Sequence, residues 1–206
     1  MSQELKVELE GVSREAIGGV IEQEELESVG APPARVGFWV FIAGEVIILL
    51  SLIASAIYFR LTYPHWHETS TFTNVVISTI NTFILLTGSL TAVLAHHFAF
   101  ADAWKKARRY LLLTMLCGLA FVGMKAYEYS LEIHHGFYPN TDPFWMFYYT
   151  ITGIHGLHVF AGACILFGVW LYVRKTKSKY AVENAALYWH FVDLVWLYIF
   201  PMFYLT

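Results

Sequence analysis

Glu45 lies in the middle of an apolar run, GFWVFIAGEVIILL, where a carboxyl group without water must hold a proton or find a partner. Three other places in the chain raise the same question. Lys125, Glu128 and Glu132 recur at i, i+3 and i+7, one stripe of a helix. His155 and His158 fall within GIHGLHV, and His190 and Asp193 within YWHFVDLVW, each pair sharing a helix face. Groups of these types can pass a proton, ligate a metal or tie helices together. Lys125 can neutralise Glu128 one turn away as an intramembrane charge pair, and imidazoles can donate to carboxylates across a helix pair. Lys125, Glu128, Glu132, His190 and Asp193 therefore read first as an interhelical polar clamp without chemistry. Glu45 has no cation near it in sequence. It reads equally as a carrier in proton movement or coupling and as a neutral hydrogen-bonding strut.

The nine histidines invite a metal, but their positions separate them. His96 and His97 end one apolar run on one side of a membrane, and His134 and His135 end the next on the other, so a hydrocarbon layer of ~30 Å keeps them from sharing an ion. His155 and His158 are the intramembrane pair at ligand spacing, and a closed site would need donors from other helices. No metal or haem held by this chain is expected. Motifs for a nucleophilic serine, a Walker lysine loop and a dinucleotide fold are missing from the sequence, so no catalytic residue is assigned. Cys117 and Cys164 both lie in apolar stretches and suggest no disulfide framework.

The elements that hold these groups follow from composition. The 206 residues are 57% hydrophobic, 17% aromatic and 14% charged, with a mean hydropathy of +0.52. Soluble domains carry roughly 25% charged residues, so this chain cannot cover a water-facing surface and belongs in a membrane. Runs of roughly 20 apolar residues can be placed at about 36–59, 74–98, 110–133, 144–173 and 184–204. Their lack of strand-like alternation predicts an all-α, polytopic bundle of five transmembrane helices. Connections of about 10 to 13 residues are too short to fold as separate domains.

Ahead of the helices, residues 1–35 read as an acidic tail, since residues 1–30 hold eight glutamates against Lys6 and Arg14. Pro32 and Pro33 are expected to stop any helix before the membrane, and no cleaved signal peptide is expected. Lys105, Lys106, Arg108 and Arg109 fill the second connection, and Arg174, Lys175, Lys177 and Lys179 the fourth. The positive-inside rule then puts those connections and the amino terminus in the cytoplasm and the carboxyl terminus outside. Phe137, Tyr138, Phe144, Trp145, Phe147, Tyr148 and Tyr149 read as an interfacial aromatic belt at the outer end of the fourth span. Ser51/Ser55 and Gly88/Ala92 supply small residues for close helix contact. The basic connections are explained by topology, so no nucleic acid is expected. A transporter or proton channel acting alone is the competing class that Glu45, Glu128 and Asp193 allow. Five helices offer it no inverted repeat and no broken helix pair.

Five motifs carry a resemblance over about residues 36–206: GFWVFIAGE (37–45), AHH (95–97), KAYEY (125–129), GIHGLHV (153–159) and ENAALYWHFVDLVW (183–196). Together they resemble subunit III of the haem–copper oxidases, cytochrome c oxidase type, in its shorter five-helix form. The resemblance implies a subunit without a redox centre, packed beside the catalytic subunit I and other oxidase subunits in a prokaryotic (inner) cell membrane. It further implies support of proton uptake during oxygen reduction, with haem and copper in the partner subunits and phospholipid held among the helices. By motif position it marks Glu45, Glu128, His155, His158, Glu183, His190 and Asp193 as the family's polar set, Glu45 being the buried carboxylate tied to proton uptake. Lys125 departs from the pattern, because many members have glutamine there. The motifs are also similar to subunit III-like accessory proteins of nitric oxide reductases, and they leave cytochrome c and quinol open as electron donor.

Overall fold

A computed structural model of the chain describes residues 33–205, so the acidic tail falls outside the described residues up to Pro33. The chain divides into two compact units, Met1–Ala43 and Gly44–Thr206. The described part of the first is the opening of one helix. Everything below concerns the second.

The helices are α1 (Pro33–Thr62), α2 (Trp66–Ser70), α3 (Val75–Phe100), α4 (Trp104–His134), α5 (Pro143–Thr176) and α6 (Lys179–Tyr204), and there is no strand among the described residues. All but the short α2 contain a stretch long and apolar enough to cross a membrane. Burial recurs along α4 at Ala107, Leu111, Thr114, Gly118, Phe121, Lys125, Glu128 and Glu132, alternating steps of four and three. Ser78, Asn81, Leu85, Gly88, Ala92, Ala95 and Ala99 do the same on α3, and Val182, Ala185, Trp189, Val192, Trp196, Ile199 and Phe203 on α6. That 3.5-residue period is the seam of near-parallel helices packed ridge into groove, as in a left-handed coiled coil. It explains how α3 to α6 close into a bundle although hydrophobicity alone gives a membrane helix no preferred face. From Gly44 onward α1 buries little more than Leu49 and Ala56, one residue per heptad.

Small residues set the closest approach. A Cβ added at Gly88 would lie 3.0 Å from the Trp189 indole, and one at Gly118 2.7 Å from it. Gly88 and Ala92 are thus contact residues as expected, while Ser51 and Ser55 face outward and bond carbonyls of their own helix.

Three expectations need correction. First, the connections are mostly shorter than expected: residues 101–103 join α3 to α4, and 177–178 join α5 to α6. Lys105, Lys106, Arg108 and Arg109 form the first turns of α4, and Arg174 and Lys175 the last turn of α5. Long basic side chains reach the aqueous edge from a helix, so the helix need not stop where the hydrocarbon does. The α3–α4 reversal turns on Asp102 at φ 56°, a left-handed conformation that aspartate tolerates better than most residues. Its carboxylate takes the Lys179 ammonium at 3.1 Å, tying the two basic connections together.

Second, Pro33 is the first residue of α1 and not a stop. In the first helical turn a missing N–H leaves nothing unsatisfied. Third, Phe144, Trp145 and Tyr148 are fully buried and are not a lipid-facing belt. Trp66, brought over the bundle end by α2, packs at 5.0 Å on Phe144 and stacks at 5.9 Å on Phe203. These rings form a core at the aromatic end of the bundle, opposite the basic end. Asp142 fixes this corner: one oxygen caps α5 by accepting from Phe144 N at 2.8 Å, and the other accepts from Tyr63 at 2.9 Å.

Candidate functional site

The polar residues singled out by type and spacing do not gather in one place. They occupy separate levels of the bundle.

Nearest the aromatic end lies a closed ionic cluster. Lys125 and Glu128, three residues apart on the inward stripe of α4, pair at 3.1 Å with side chains only 5% and 0% exposed. The Lys125 ammonium has three protons to donate. It donates to Glu128 Oε2, to the Tyr204 hydroxyl at 2.6 Å and to the Tyr148 hydroxyl at 3.3 Å. Glu128 Oε1 accepts from Tyr204 at 2.7 Å, from Tyr148 at 2.9 Å and from Ser78 at 3.3 Å. The cluster therefore joins α3, α4, α5 and α6, and every strong donor in it has an acceptor. Trp196 and Tyr129 add ring faces 5.4 and 5.2 Å from the ammonium, which stabilise a desolvated cation further. Glu132 is buried one turn nearer the helix end.

Deeper in the bundle, Glu45 on α1 meets His158 on α5, Oε2 to Nε2 at 3.0 Å, both side chains 20% exposed. The other imidazole nitrogen, Nδ1, is 2.8 Å from the carbonyl of Ile154. A carbonyl only accepts, so Nδ1 carries a hydrogen. The contact with Glu45 then needs one more proton, either on Nε2 as imidazolium facing carboxylate or on Glu45 as neutral acid facing neutral imidazole. Both arrangements hold the same number of protons and the same net charge. Chemically the pair is one proton shared between two bases, with open valence on the carboxyl group.

His155, three residues from His158, points elsewhere. It is buried in the core, stacked 5.2 Å from Trp196 and edge-on to Phe121 at 5.6 Å, with Nε2 unpartnered. The two histidines thus share a motif but not a site. His190 on α6 bonds Ser89 on α3 through Nδ1 at 2.6 Å. Asp193, one turn along, is buried with Oδ1 lacking a protein partner. Glu183 and His96 line a cleft with His190 towards the basic end. Asn81, on the α3 seam, is buried with both amide atoms unpartnered. Each orphaned atom marks a place where an interior water would find hydrogen bonds.

Sequence reasoning missed Tyr148, Tyr204, Ser78 and Ser89 as site residues, because hydroxyls are ordinary in membrane helices and only their partners make them notable. A seam-facing position on the 3.5-residue stripe was the available signal for Tyr148 and Ser78. Among the described residues no three histidine, cysteine, aspartate or glutamate side chains are arranged to hold a metal ion, and Cys117 and Cys164 are free thiols.

Residues 31–206 match the family described as Cytochrome c oxidase subunit III. A protein named cytochrome c oxidase subunit 3 from Bacillus sp. (strain PS3) is 33% identical over 175 residues, covering 82% of this chain and 84% of the relative. Its counterpart in Bacillus subtilis is 34% identical over 176 residues, with the same coverage. A quinol oxidase subunit 3 from Bacillus spizizenii is 30% identical over 175 residues, covering 82% and 85%. With its five membrane-crossing helices, the chain belongs to the cytochrome c oxidase subunit III family, the non-catalytic third subunit of haem–copper oxidases.

Proposed function

We propose that this chain packs against the catalytic subunit I of its oxidase in a prokaryotic inner membrane, and that Glu45 with His158 holds a proton for the uptake side of oxygen reduction. In this reading the amino terminus and the basic end face the cytoplasm and the carboxyl terminus lies outside, as the placement of lysine and arginine favours. Haem and copper reside in the partner subunits, and phospholipid is held by the helices of this one. Glu128, His155, Glu183, His190 and Asp193 act structurally, joining helices or lining clefts beside them.

The observation that carries the proposal is the Glu45–His158 contact at 3.0 Å, where the Nδ1 bond to Ile154 leaves a single proton between two bases. A group able to hold that proton in either of two places at little cost suits transfer; a strut would need only one. Glu45→Gln keeps shape and hydrogen bonding but removes the exchangeable proton. The oxidase containing it should assemble in normal amount yet take up protons more slowly, or lose activity sooner during turnover. Unchanged uptake and unchanged turnover lifetime would reduce Glu45 to a strut. The same preparation, assayed with reduced cytochrome c and with quinol, and for oxygen against nitric oxide consumption, identifies the donor and the reaction of the complex.

A further inference from the structure

At the basic end of the bundle two arginines converge on one indole. Arg108, one turn into α4, places its guanidinium carbon 4.7 Å from the centre of the Trp170 ring, and Arg174, in the last turn of α5, lies 5.8 Å from the same centre. The two carbons are therefore at most 10.5 Å apart, the sum of those distances. Among the described residues neither arginine has a carboxylate partner, and the nearby Asp102 is engaged by Lys179. Arg108 Nε is buried with no acceptor. Two like charges drawn together without an anion are unfavourable, and a guanidinium fork is shaped to take the paired oxygens of a phosphate.

Below the arginines the same helix faces continue into a groove. On α4 the path runs from Arg108 to Met115 and Leu119, and on α5 from Arg174 through Trp170 and Phe167 to Cys164 and Ala163. Met115, Leu119, Ala163, Cys164 and Phe167 line an apolar groove of about 330 Å³. The share of one water in the liquid is roughly 30 Å³, so the groove is too large and too apolar to be a water site. Phe167 stacks on Trp170 at 6.2 Å and 12°, joining the groove to the cationic end. Met115 lies seven residues beyond Arg108, roughly 10 Å along the helix, which is the direction an acyl chain takes from its phosphate into the hydrocarbon.

We infer that the α4–α5 seam is a binding site for one anionic phospholipid. Its phosphodiester is held between Arg108 and Arg174 against Trp170, and an acyl chain lies along Met115, Leu119, Cys164 and Phe167. A soluble phosphate satisfies the arginines but not the groove, and a neutral hydrocarbon satisfies the groove but not the arginines. Only a molecule with both parts fits. The inference deepens the lipid part of the proposed function and rests on it.

The test uses the whole oxidase, purified in mild detergent through a tag on another subunit, with bound lipid read by native mass spectrometry. Loss of this chain from the complex would then count against the proposed function, while loss of lipid from a complex that keeps the chain reports on the site. In R108Q/R174Q the retained anionic phospholipid should fall roughly thirtyfold, about 1 kcal/mol for each arginine. R174Q alone changes only an exposed side chain and should lower retention about fivefold. C164W, which fills the groove and spares both arginines, should lose the lipid as well. After delipidation, phosphatidylglycerol in mixed micelles should restore the bound mass, whereas phosphatidylcholine or inorganic phosphate should not. Lipid retained by R108Q/R174Q, lipid retained by C164W, or equal binding of phosphatidylcholine would overturn the inference.

Discussion

Removing one member of the Lys125–Glu128 pair should destabilise the bundle more than removing both. Lys125 lies nine residues, roughly 13 Å, inside the His134 end of α4, and its side chain is 5% exposed while that of Glu128 is 0% exposed. A buried charge left without its partner costs about 3–5 kcal/mol. Insertion of a charge near a helix centre costs a similar 2.5–3.5 kcal/mol or so. Lys125→Met and Glu128→Met should therefore each cost about 3 kcal/mol or more. In the double variant no charge remains, and the Tyr148 and Tyr204 hydroxyls, 3.0 Å apart, can still bond each other. Its cost should come mainly from hydroxyls that lose their acceptor, about 1–2 kcal/mol. The coupling energy in the double-mutant cycle should thus be several kcal/mol, with the double variant more stable than either single one. Reversible unfolding of the purified chain in mixed micelles gives the four free energies. Single variants within about 1 kcal/mol of the natural chain, or a double variant as damaged as the sum of the singles, would refute the reasoning.

Two smaller perturbations probe the packing that holds the levels apart. Gly118→Ala puts a Cβ 2.7 Å from a rigid indole that Gly88 already confines at 3.0 Å from the other side, and overpacking of this kind should cost about 1–3 kcal/mol in the same unfolding assay. Gly123→Ala, with nothing within 4 Å of the new carbon, is its matched control and should be close to neutral. Ser89→Ala removes the 2.6 Å tie to His190 between α3 and α6 and should cost about 0.6 kcal/mol, at most about 1.7. A larger loss would mean that Ser89 supports more than one bond.

The number and type of the helices were legible because membrane helices must be long and apolar, and because the inward stripe repeats every 3.5 residues on α3, α4 and α6. The Lys125–Glu128 contact was legible for a local reason, since a spacing of three residues brings side chains together in any helix. The Glu45–His158 contact joins residues 113 apart, and no spacing rule reaches across helices. The helix ends were misread for a physical reason too: charge marks where water begins, whereas a helix ends where its hydrogen bonds do. The aromatic residues of α5 were misplaced because composition gives their depth in the bilayer but not their azimuth. Phe144 and Tyr148 are four apart on the inward face, and the short α2 that seals them with Trp66 has only five residues, too few to leave a periodic signal.

The two buried acid–base pairs differ in what they can do, and the difference is one of valence. Around Lys125 and Glu128 the three ammonium protons have three acceptors, and Oε1 of the glutamate receives three hydroxyls. Moving a proton within that set breaks bonds that nothing replaces, in a place that water does not reach. Such a network holds four helices in register and resists change, which suits the end of the bundle where α2 and the aromatic core close it off. Glu45 and His158 share one contact, are each 20% exposed, and have spare lone pairs on the carboxyl group. A proton can arrive there, change sides without altering the net charge, and leave. Depth and residue type are alike in the two pairs, so saturation is the property that assigns fastening to one and, in the function proposed, proton exchange to the other.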